Sequence, residues 1–329
     1  MKLSVIIPTR NRAKSLERTL ISLAQQTLSK DGFEVIVVDN GSTDTTAAVC
    51  AGFSVQFLHF RYLYDEHPGL HVGRNLGMEH ALADILVYGD DDIEAAPGWL
   101  EGIWKAFEDS KAALVGGKNL PLFELTPPEW IARMWAPSAS GERVCSPLSV
   151  LDLGDLARPV SPYCVFGCNF SIRKAVLLAA DGFHPDGMPK DLIRFRGDGE
   201  THVSKHIERQ GLLAFYHPGA SVGHLVSRDR LTVEYFCQRS FSQGISDSFA
   251  SLRERGGLAG PCRRLVQEVR WLRALPRLRA APYPALLLAQ AGRRGHWFHQ
   301  QEYRRDPALR EWVQRRNYRG SGSFIPTTV

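Results

Sequence analysis

The sequence has no apolar run long enough to cross a membrane. Its longest apolar runs, residues 3–8 and 285–291, fall well short of the roughly 20 residues that a membrane-spanning helix needs. A secretory signal peptide is not expected either, because the first run gives way at once to Pro8, Arg10 and Arg12 without a small-residue cleavage site.

Cysteine is scarce, and its spacing does not indicate a disulfide framework. The chain has 6 cysteines in 329 residues, and Cys164 and Cys168 are four residues apart, not in a C-x-x-C pattern. Apolar residues make up 44% and charged residues 23%, an ordinary globular composition that needs no disulfides or metals to fold. We expect a reducing, cytoplasmic location.

Two nucleotide-binding motifs are missing. No G-x-G-x-x-G follows the first apolar run, and no G-x-x-x-x-G-K-S/T occurs in the sequence. A dinucleotide-binding fold and a P-loop are therefore unsupported.

Negative charge is scarce toward the end of the chain. Sixteen arginines and five acidic residues lie between Arg253 and Arg319, whereas the rest of the chain is net acidic. This asymmetry has two interpretations: contact with an anionic partner, such as the inner face of a membrane or a phosphorylated lipid, or a solvated helical face. We expect no nucleic-acid partner.

Strand and helix patterns alternate in the first third of the chain. Short apolar runs predict strands, and apolar residues at helical spacing predict helices that pack on them. The predicted strands are residues 3–8, 33–38, 55–60 and 85–88; the predicted helices are residues 13–26, 44–51 and a segment carrying Val72, Leu76 and Ala83. Repeated β-α-β units imply a mostly parallel, Rossmann-like sheet with helices on both faces.

The pattern weakens after residue 95. We predict strands at 115–119, 165–172 and 220–223, helices at 174–180, 203–209, 233–243 and from residue 97, and a long ordered loop at 121–143. Beyond residue 252 the pattern predicts Arg-rich helix broken by Pro261, Pro276, Pro282 and Pro284.

Polar residues follow three of the predicted strands. Thr9, Arg10 and Asn11 follow the first, Asp39, Asn40 and Ser42 the second, and Asp90, Asp91 and Asp92 the strand at 85–88. Ligands bind beyond the carboxyl ends of the strands in open parallel sheets, so we expect one site built from these segments.

Three adjacent carboxylates at residues 90–92 repel one another unless a cation or a donor is present. Mg²⁺ and Mn²⁺ prefer such oxygen ligands, and a metal bridging a diphosphate would offset the charge of that leaving group. The alternative is an acidic surface turn. Asp39 is suited to accept an N–H from a nucleobase or to serve as a turn residue, and Arg74 to hold a phosphate or to be an ordinary surface arginine.

Six motifs together resemble the family 2 glycosyltransferases. They are SVIIPTRNR at residues 4–12, VVDNGSTD at 37–44, DDD at 90–92, GCNFSIR at 167–173, GF at 182–183 and VGH at 222–224. The resemblance covers about residues 1–245, and the first three motifs in this order are highly specific.

The resemblance implies the GT-A fold and inverting transfer of a sugar from a UDP-, dTDP- or GDP-linked donor to an acceptor hydroxyl, aided by Mg²⁺ or Mn²⁺. By analogy Asp39 holds the base, Asp90 and Asp92 form the D-x-D metal motif, and His224 resembles a histidine that joins the metal. The residues assigned to the nucleotide-sugar are Pro8, Thr9, Arg10, Arg12, Asp39, Ser42, Arg74, Asn75, Asp90 and Asp91.

The catalytic base is less clearly defined. Family members usually carry a Glu-Asp pair before a helix, whereas this chain has RGDGET at residues 196–201. Counting eleven residues back from Gly211, which resembles the glycine that closes that helix, gives Glu200 as the base, with Asp198 as the alternative. A base must reach the acceptor hydroxyl on the face opposite the leaving diphosphate.

The acceptor side has weaker signals. We assign Asn169, Arg230, Tyr235 and Arg239 to it. For the last three, the alternatives are contact with the diphosphate, or core packing with a surface arginine. Trp99, Trp130 and Trp135 are candidates for stacking on sugar rings or for the core.

We therefore expect a GT-A domain at residues 1–250, with a nucleotide-binding half at 1–95 and an acceptor-binding half at 96–250, followed by an Arg-rich helical region at 251–329. The predicted function is glycosyl transfer in glycan, polysaccharide or glycoconjugate biosynthesis. The alternatives are a nucleotidyltransferase that makes nucleotide-sugars and a non-catalytic nucleotide- or glycan-binding protein.

Overall fold

The computed structural model of the chain describes residues 1–320, apart from the side chain of Arg264. The strands are β1 (Leu3–Thr9), β2 (Phe33–Asp39), β3 (Phe60–Tyr64), β4 (Ile85–Gly89), β5 (Ile93–Ala95), β6 (Leu114–Gly116), β7 (Asn119–Phe123), β8 (Arg143–Cys145), β9 (Val150–Asp152), β10 (Arg158–Val160), β11 (Asn169–Arg173), β12 (Ala214–Tyr216) and β13 (Val222–Val226). The α-helices are α1 (Ala13–Ala24), α2 (Thr46–Phe53), α3 (Leu70–His80), α4 (Trp99–Asp109), α5 (Glu129–Met134), α6 (Lys174–Ala179), α7 (Glu200–Arg209), α8 (Val233–Arg255), α9 (Pro261–Ala280), α10 (Ala285–Arg305) and α11 (Pro307–Gln314).

The larger sheet has the strand order β10-β12-β6-β11-β4-β1-β2-β3. Strands β4, β1, β2 and β3 are parallel neighbours, while β11 pairs antiparallel with both β4 and β6. This arrangement confirms the predicted α/β fold and its mostly parallel sheet. Because Thr9 at the end of β1 pairs in register with Asp39 at the end of β2, the two polar loops that follow start side by side.

Both faces of the central strands are buried, as their continuous apolar sequences predict. Val5 and Ile7 point to the core under α1, where Leu16 and Leu20 pack. Ile6 alternates to the opposite face and joins a second core. The alternation of side chains along β1 therefore places apolar residues against a helical layer on each face of the sheet.

A second sheet, which the sequence did not predict, has the order β5-β13-β7-β9-β8. Residues 115–119, predicted as one strand, are divided between β6 in the large sheet and β7 in this one. Gly117 makes the change possible, because a Cβ there would lie 1.8 Å from the carbonyl oxygen of Ala220. Strand β13 pairs with β5 so that His224 stands opposite Ile93, next to the acidic triplet.

The helical C-terminal region is confirmed, and its helix α10 packs closely against helix α8. Helix α10 runs along α8, where a Cβ on Gly244 would lie 1.9 Å from the carbonyl oxygen of Gly292. Helix α8 ends at Arg255, beyond the predicted residue 243, so the predicted domain boundary at residue 250 falls inside it. Residues 321–329 of the predicted helical region lie outside the described residues.

Three local predictions were wrong. Residues 55–60 are not a strand: Val55 lies in a 3₁₀ turn and is exposed, Phe57 is buried in the core, and the edge strand begins only at Phe60. Residues 121–143 include helix α5. Pro276 lies inside α9 and does not end it, since a helix can continue past a proline at the cost of one backbone hydrogen bond. Within residues 1–320, no helix is both long and apolar enough to cross a membrane.

Candidate active site

A cavity of about 330 Å³ opens at the carboxyl edge of the large sheet, where β1 and β4 end. It brings together many of the residues that the sequence assigned to one site. The predicted residues that line it are Pro8, Thr9, Arg10, Arg12, Asp90, Asp91, Asp92, His224, Arg230, Tyr235 and Arg239.

The three aspartates of the acidic triplet differ in their contacts: one is bound to neighbouring side chains, and the other two can act as metal ligands. Asp91 is buried, and its carboxylate accepts hydrogen bonds from Thr9 Oγ1 at 2.7 Å and Arg12 Nη1 at 2.8 Å. Burial raises the pKa of Asp91 to about 6, and the Asp92 charge adds to this, although Arg12 opposes it. Asp91 therefore anchors the turn to the loop after β1.

Asp90, Asp92 and His224 each offer one ligand atom, and these three atoms lie within 4.8 Å of one another. Asp92 Oδ2 accepts hydrogen bonds from Arg12 Nη1 at 2.9 Å and Arg230 Nη2 at 2.6 Å. Asp92 Oδ1 is buried and accepts no hydrogen bond from any described residue, although His224 Nε2 lies 3.3 Å away.

The charge of Asp92 is well supported. Burial opposes its ionisation, but His224, Arg230 and Arg12 outweigh burial and hold the pKa of Asp92 below its usual range. One carboxylate oxygen is thus neutralised by arginines while the other is left with free lone pairs beside a histidine nitrogen. A buried acceptor without a donor is costly, and a divalent cation fits the three residues present.

Arg74 is only 3% exposed, so it is not an ordinary surface arginine, and it is not among the residues that line the cavity. Its guanidinium lies 3.4 Å from Asp90 Oδ1 and 3.2 Å from Glu200 Oε2. Gly167 leaves room for it, because a Cβ there would lie 2.4 Å from Arg74 Nη2. Arg74 therefore links the acidic turn to the start of α7.

The two candidates for the base differ in accessibility. Asp198 is buried, receives a 2.6 Å contact from His184 Nδ1, and has Lys205 Nζ 3.5 Å away. Burial raises its pKa, but the bond to His184 and the charge of Lys205 outweigh burial and lower it. Glu200 lies in the first turn of α7, and 29% of its side chain is exposed.

Asp39 and Ser42 lie next to the cavity but are not among the residues that line it. Asp39 Oδ1 accepts the Ser42 N–H at 2.8 Å, and Oδ2 accepts the Tyr62 hydroxyl at 2.7 Å. Asn11, in the left-handed region at φ 52°, donates its N–H to Ser42 Oγ. The loops after β1 and β2 are thus joined, and Tyr62 is a partner that the sequence did not reveal.

Two further predicted site residues do not line the cavity, and their amides bond to other parts of the fold. Asn169 is 1% exposed; its amide donates to Asn119 Oδ1 and the Ala220 carbonyl and accepts from Trp99 Nε1. It links the two sheets and does not line the cavity, and Trp99 is a core residue. Asn75 Nδ2 donates to the carbonyls of Phe183 and Tyr318, away from the cavity.

The other aromatic candidates also pack inward. Trp130 meets Phe236 edge-on with ring centroids 4.8 Å apart, and Trp135 packs against the same cluster. Asn40, which the sequence placed after the second strand among the residues expected to build the site, also lines the cavity. Four lining residues were not predicted and lie in segments without a recognisable pattern: Leu70, Leu148, Ser149 and Gly187.

The fold places the protein in a known class. It matches S. aureus TarS bound to UDP-GlcNAc with a TM-score of 0.53 and 17% identity, covering 93% of this chain and 92% of that one. It also matches a mannosyltransferase from Pyrobaculum calidifontis, bound to GDP-Man and Mn²⁺, with a TM-score of 0.53 and 19% identity over 95% and 84% of the two chains. The fold is therefore the GT-A type.

Residues 4–179 match glycosyl transferase family 2, and the chain belongs to this family. Validoxylamine A glucosyltransferase from Streptomyces hygroscopicus subsp. jinggangensis is 42% identical over 106 residues, 32% of this chain and 25% of that protein. A glucosyl-dolichyl phosphate glucuronosyltransferase from Haloferax volcanii is 26% identical over 257 residues, 75% of this chain and 76% of that protein. The chain covers only 23% to 38% of the first four curated relatives it matches.

Proposed function

We propose that the protein transfers a sugar from a nucleoside diphosphate sugar to an acceptor hydroxyl, with inversion and by direct displacement. The observation that carries this proposal is the cluster of Asp90, Asp92 and His224, in which the buried Asp92 Oδ1 has no donor among the described residues. Family membership and the GT-A fold support it, since both structures matched above hold a nucleotide sugar.

The cluster is the proposed site of a divalent cation. Two carboxylate oxygens and an imidazole nitrogen suit Mn²⁺ better than Mg²⁺, which prefers oxygen ligands. When bound, such a cation would neutralise charge on the leaving diphosphate.

The surrounding arginines supply the remaining positive charge in the cavity. Arg12 and Arg230 hold Asp92 ionised, and with Arg10 and Arg239 they line the cavity with positive charge. Their guanidinium groups are suited to contact phosphate oxygens. Preorganised donors of this kind stabilise a leaving group without reorganising during the reaction.

Glu200 is the proposed base. It is more exposed than Asp198, and Arg74 fixes it relative to the acidic turn. Asp198 already accepts from His184 and Lys205, which leaves it a structural role. A carboxylate held in this way accepts the proton of the acceptor hydroxyl while the hydroxyl oxygen attacks the anomeric carbon and the bond from that carbon to the diphosphate breaks.

The test is incubation with UDP-, dTDP- and GDP-linked sugars in Mn²⁺ or Mg²⁺, following release of the nucleoside diphosphate. Release that depends on the cation, with a product of inverted anomeric configuration by NMR, is expected. Pyrophosphate made from a sugar phosphate and a nucleoside triphosphate would instead identify the nucleotidyltransferase alternative. No turnover of any donor would favour the binding-protein alternative.

The predicted halves at 1–95 and 96–250 stay predictions, as do the acceptor, the pathway and the location. We infer a donor side built by the loops after β1 and β4 and an acceptor side near Tyr235 and Arg239, two residues that line the same cavity. Membrane contact by the basic C-terminal region also belongs to this proposal.

A further inference from the structure

Helix α9 carries an apolar stripe that faces solvent. Leu265, Val269 and Leu272 recur at i, i+4 and i+7, which places them on one side of the helix. Leu265 is 65% and Leu272 61% exposed, and Val266 beside them is 49% exposed. Exposed apolar residues grouped in this way, not scattered singly, mark an interaction surface.

The side of α9 that packs on the protein adjoins the apolar stripe, because Glu268 is three residues from Leu265 and four from Leu272. Arg293 of α10 forms an ion pair with Glu268, and its guanidinium lies 5.1 Å from the centroid of the Trp271 ring. Helix α9 is therefore held against α10, while the apolar stripe stays exposed. The stripe lacks a partner among the described residues.

A basic stripe borders the apolar one. Arg270, Arg273 and Arg277 recur at i, i+3 and i+7, and all three are exposed. None of them forms an ion pair within the part of the chain that the structure describes. Apolar residues edged by unpaired arginines are complementary to a surface with an apolar interior and anionic headgroups.

We propose that α9 lies in the plane of an anionic phospholipid membrane. Leu265, Val269 and Leu272 enter the boundary between headgroups and acyl chains, and Arg270, Arg273 and Arg277 contact lipid phosphates. The helix lies on the membrane and does not cross it, in keeping with the absence of a spanning helix in residues 1–320. A second copy of this chain is a poorer occupant, because an antiparallel symmetric pairing of α9 would bring the arginine stripes together.

This orientation bears on the cavity. The turn between α9 and α10 lies near Leu288, which packs on the cluster of Phe236 and Tyr235, and Tyr235 lines the cavity. The turn after α9 is thus linked to the cavity wall through the packing of Leu288 and Tyr235. An acceptor hydroxyl carried by a lipid would be presented there, and this last step alone rests on the proposed function.

The experiment is co-sedimentation of the full chain with vesicles of phosphatidylcholine alone or mixed with phosphatidylglycerol. A Leu265→Asn/Leu272→Asn variant removes the apolar stripe, and an Arg273→Gln/Arg277→Gln variant removes two charges. The matched control is Leu58→Asn/Leu82→Asn, because both of these leucines are 63% exposed but lie far from α9 in the sequence. Circular dichroism checks that each variant keeps its fold.

We expect the wild type to bind the anionic vesicles, the leucine variant to bind them at least about tenfold more weakly, and the control to match the wild type. The arginine variant should lose about tenfold or more and most of its preference for anionic lipid. No binding by the wild type, equal binding to neutral vesicles, or an equal loss in the control would overturn the proposal. So would sedimentation equilibrium showing a dimer that only the leucine variant abolishes. These readouts involve no sugar transfer, so they stand apart from the proposed reaction.

Discussion

Replacing Glu200 by Gln separates the two candidates for the base. Gln keeps an acceptor oxygen for Arg74 Nη1, which lies 3.2 Å from Glu200 Oε2, so the pocket should keep its shape. The proton acceptor is lost, and removal of a general base lowers kcat by about 100-fold or more. Donor affinity and the free energy of unfolding should change little.

Asp198→Asn should give the opposite pattern. The carboxylate of Asp198 is buried and holds His184 at 2.6 Å, so losing this charge-assisted hydrogen bond should cost about 2 kcal/mol of unfolding free energy. Transfer should persist in the folded fraction. Glu208→Gln, an exposed change on the same helix, is the control for both variants.

The assays are initial rates of nucleoside diphosphate release with donor titration, together with urea unfolding. Transfer by Glu200→Gln within about tenfold of the wild type would refute the assignment of the base. Loss of transfer in Asp198→Asn with unchanged stability would move the base to Asp198.

Three further predictions concern glycines and a buried histidine. Gly167→Ala should push the Arg74 guanidinium, 2.4 Å from the added Cβ, away from Asp90 and Glu200. This change should lower kcat by a larger factor than it lowers the equilibrium constant for folding. Steady-state kinetics and thermal unfolding measure the two effects, and an unchanged kcat would contradict the prediction. Gly244→Ala should cost at least about 2 kcal/mol in urea unfolding because its Cβ would meet the Gly292 carbonyl at 1.9 Å, whereas Gly52→Ala, with open space around it, should be neutral or stabilising. Burial lowers the pKa of His299 from 6.5 to about 3, so the unfolded chain binds a proton at a higher pH than the folded chain does. The free energy of unfolding therefore falls as the pH drops below 6.5. Between pH 7 and pH 5 this loss is about 2 kcal/mol, and it should be absent from His299→Gln; equal losses in both proteins would rule it out.

Much of the donor side could be predicted from the sequence because it depends on local pattern and on one topological rule. Parallel strands ending at one edge bring the loops after β1 and β4 together wherever the strands pair in register. Thr9, Arg12 and the acidic triplet accordingly meet at the cavity.

The rest depended on long-range pairing. His224 reaches Asp92 only because β13 pairs with β5 in a sheet whose short strands carry little periodic signal. Asn169 and Asn75 look like ligands in a motif, yet their amides satisfy buried backbone carbonyls that only the fold brings near them. The exposure of the apolar stripe on α9 was equally invisible, because spacing alone does not tell which helical face is covered.

The most direct test of the account is Mn²⁺ binding in the presence of a nucleoside diphosphate, measured by calorimetry and electron paramagnetic resonance. The wild type should bind one Mn²⁺, and Asp92→Asn should weaken that binding by at least about 100-fold. Glu94→Gln, which changes a neighbouring carboxylate paired with Arg18, should bind like the wild type. Equal Mn²⁺ affinity in the wild type and Asp92→Asn would contradict the account.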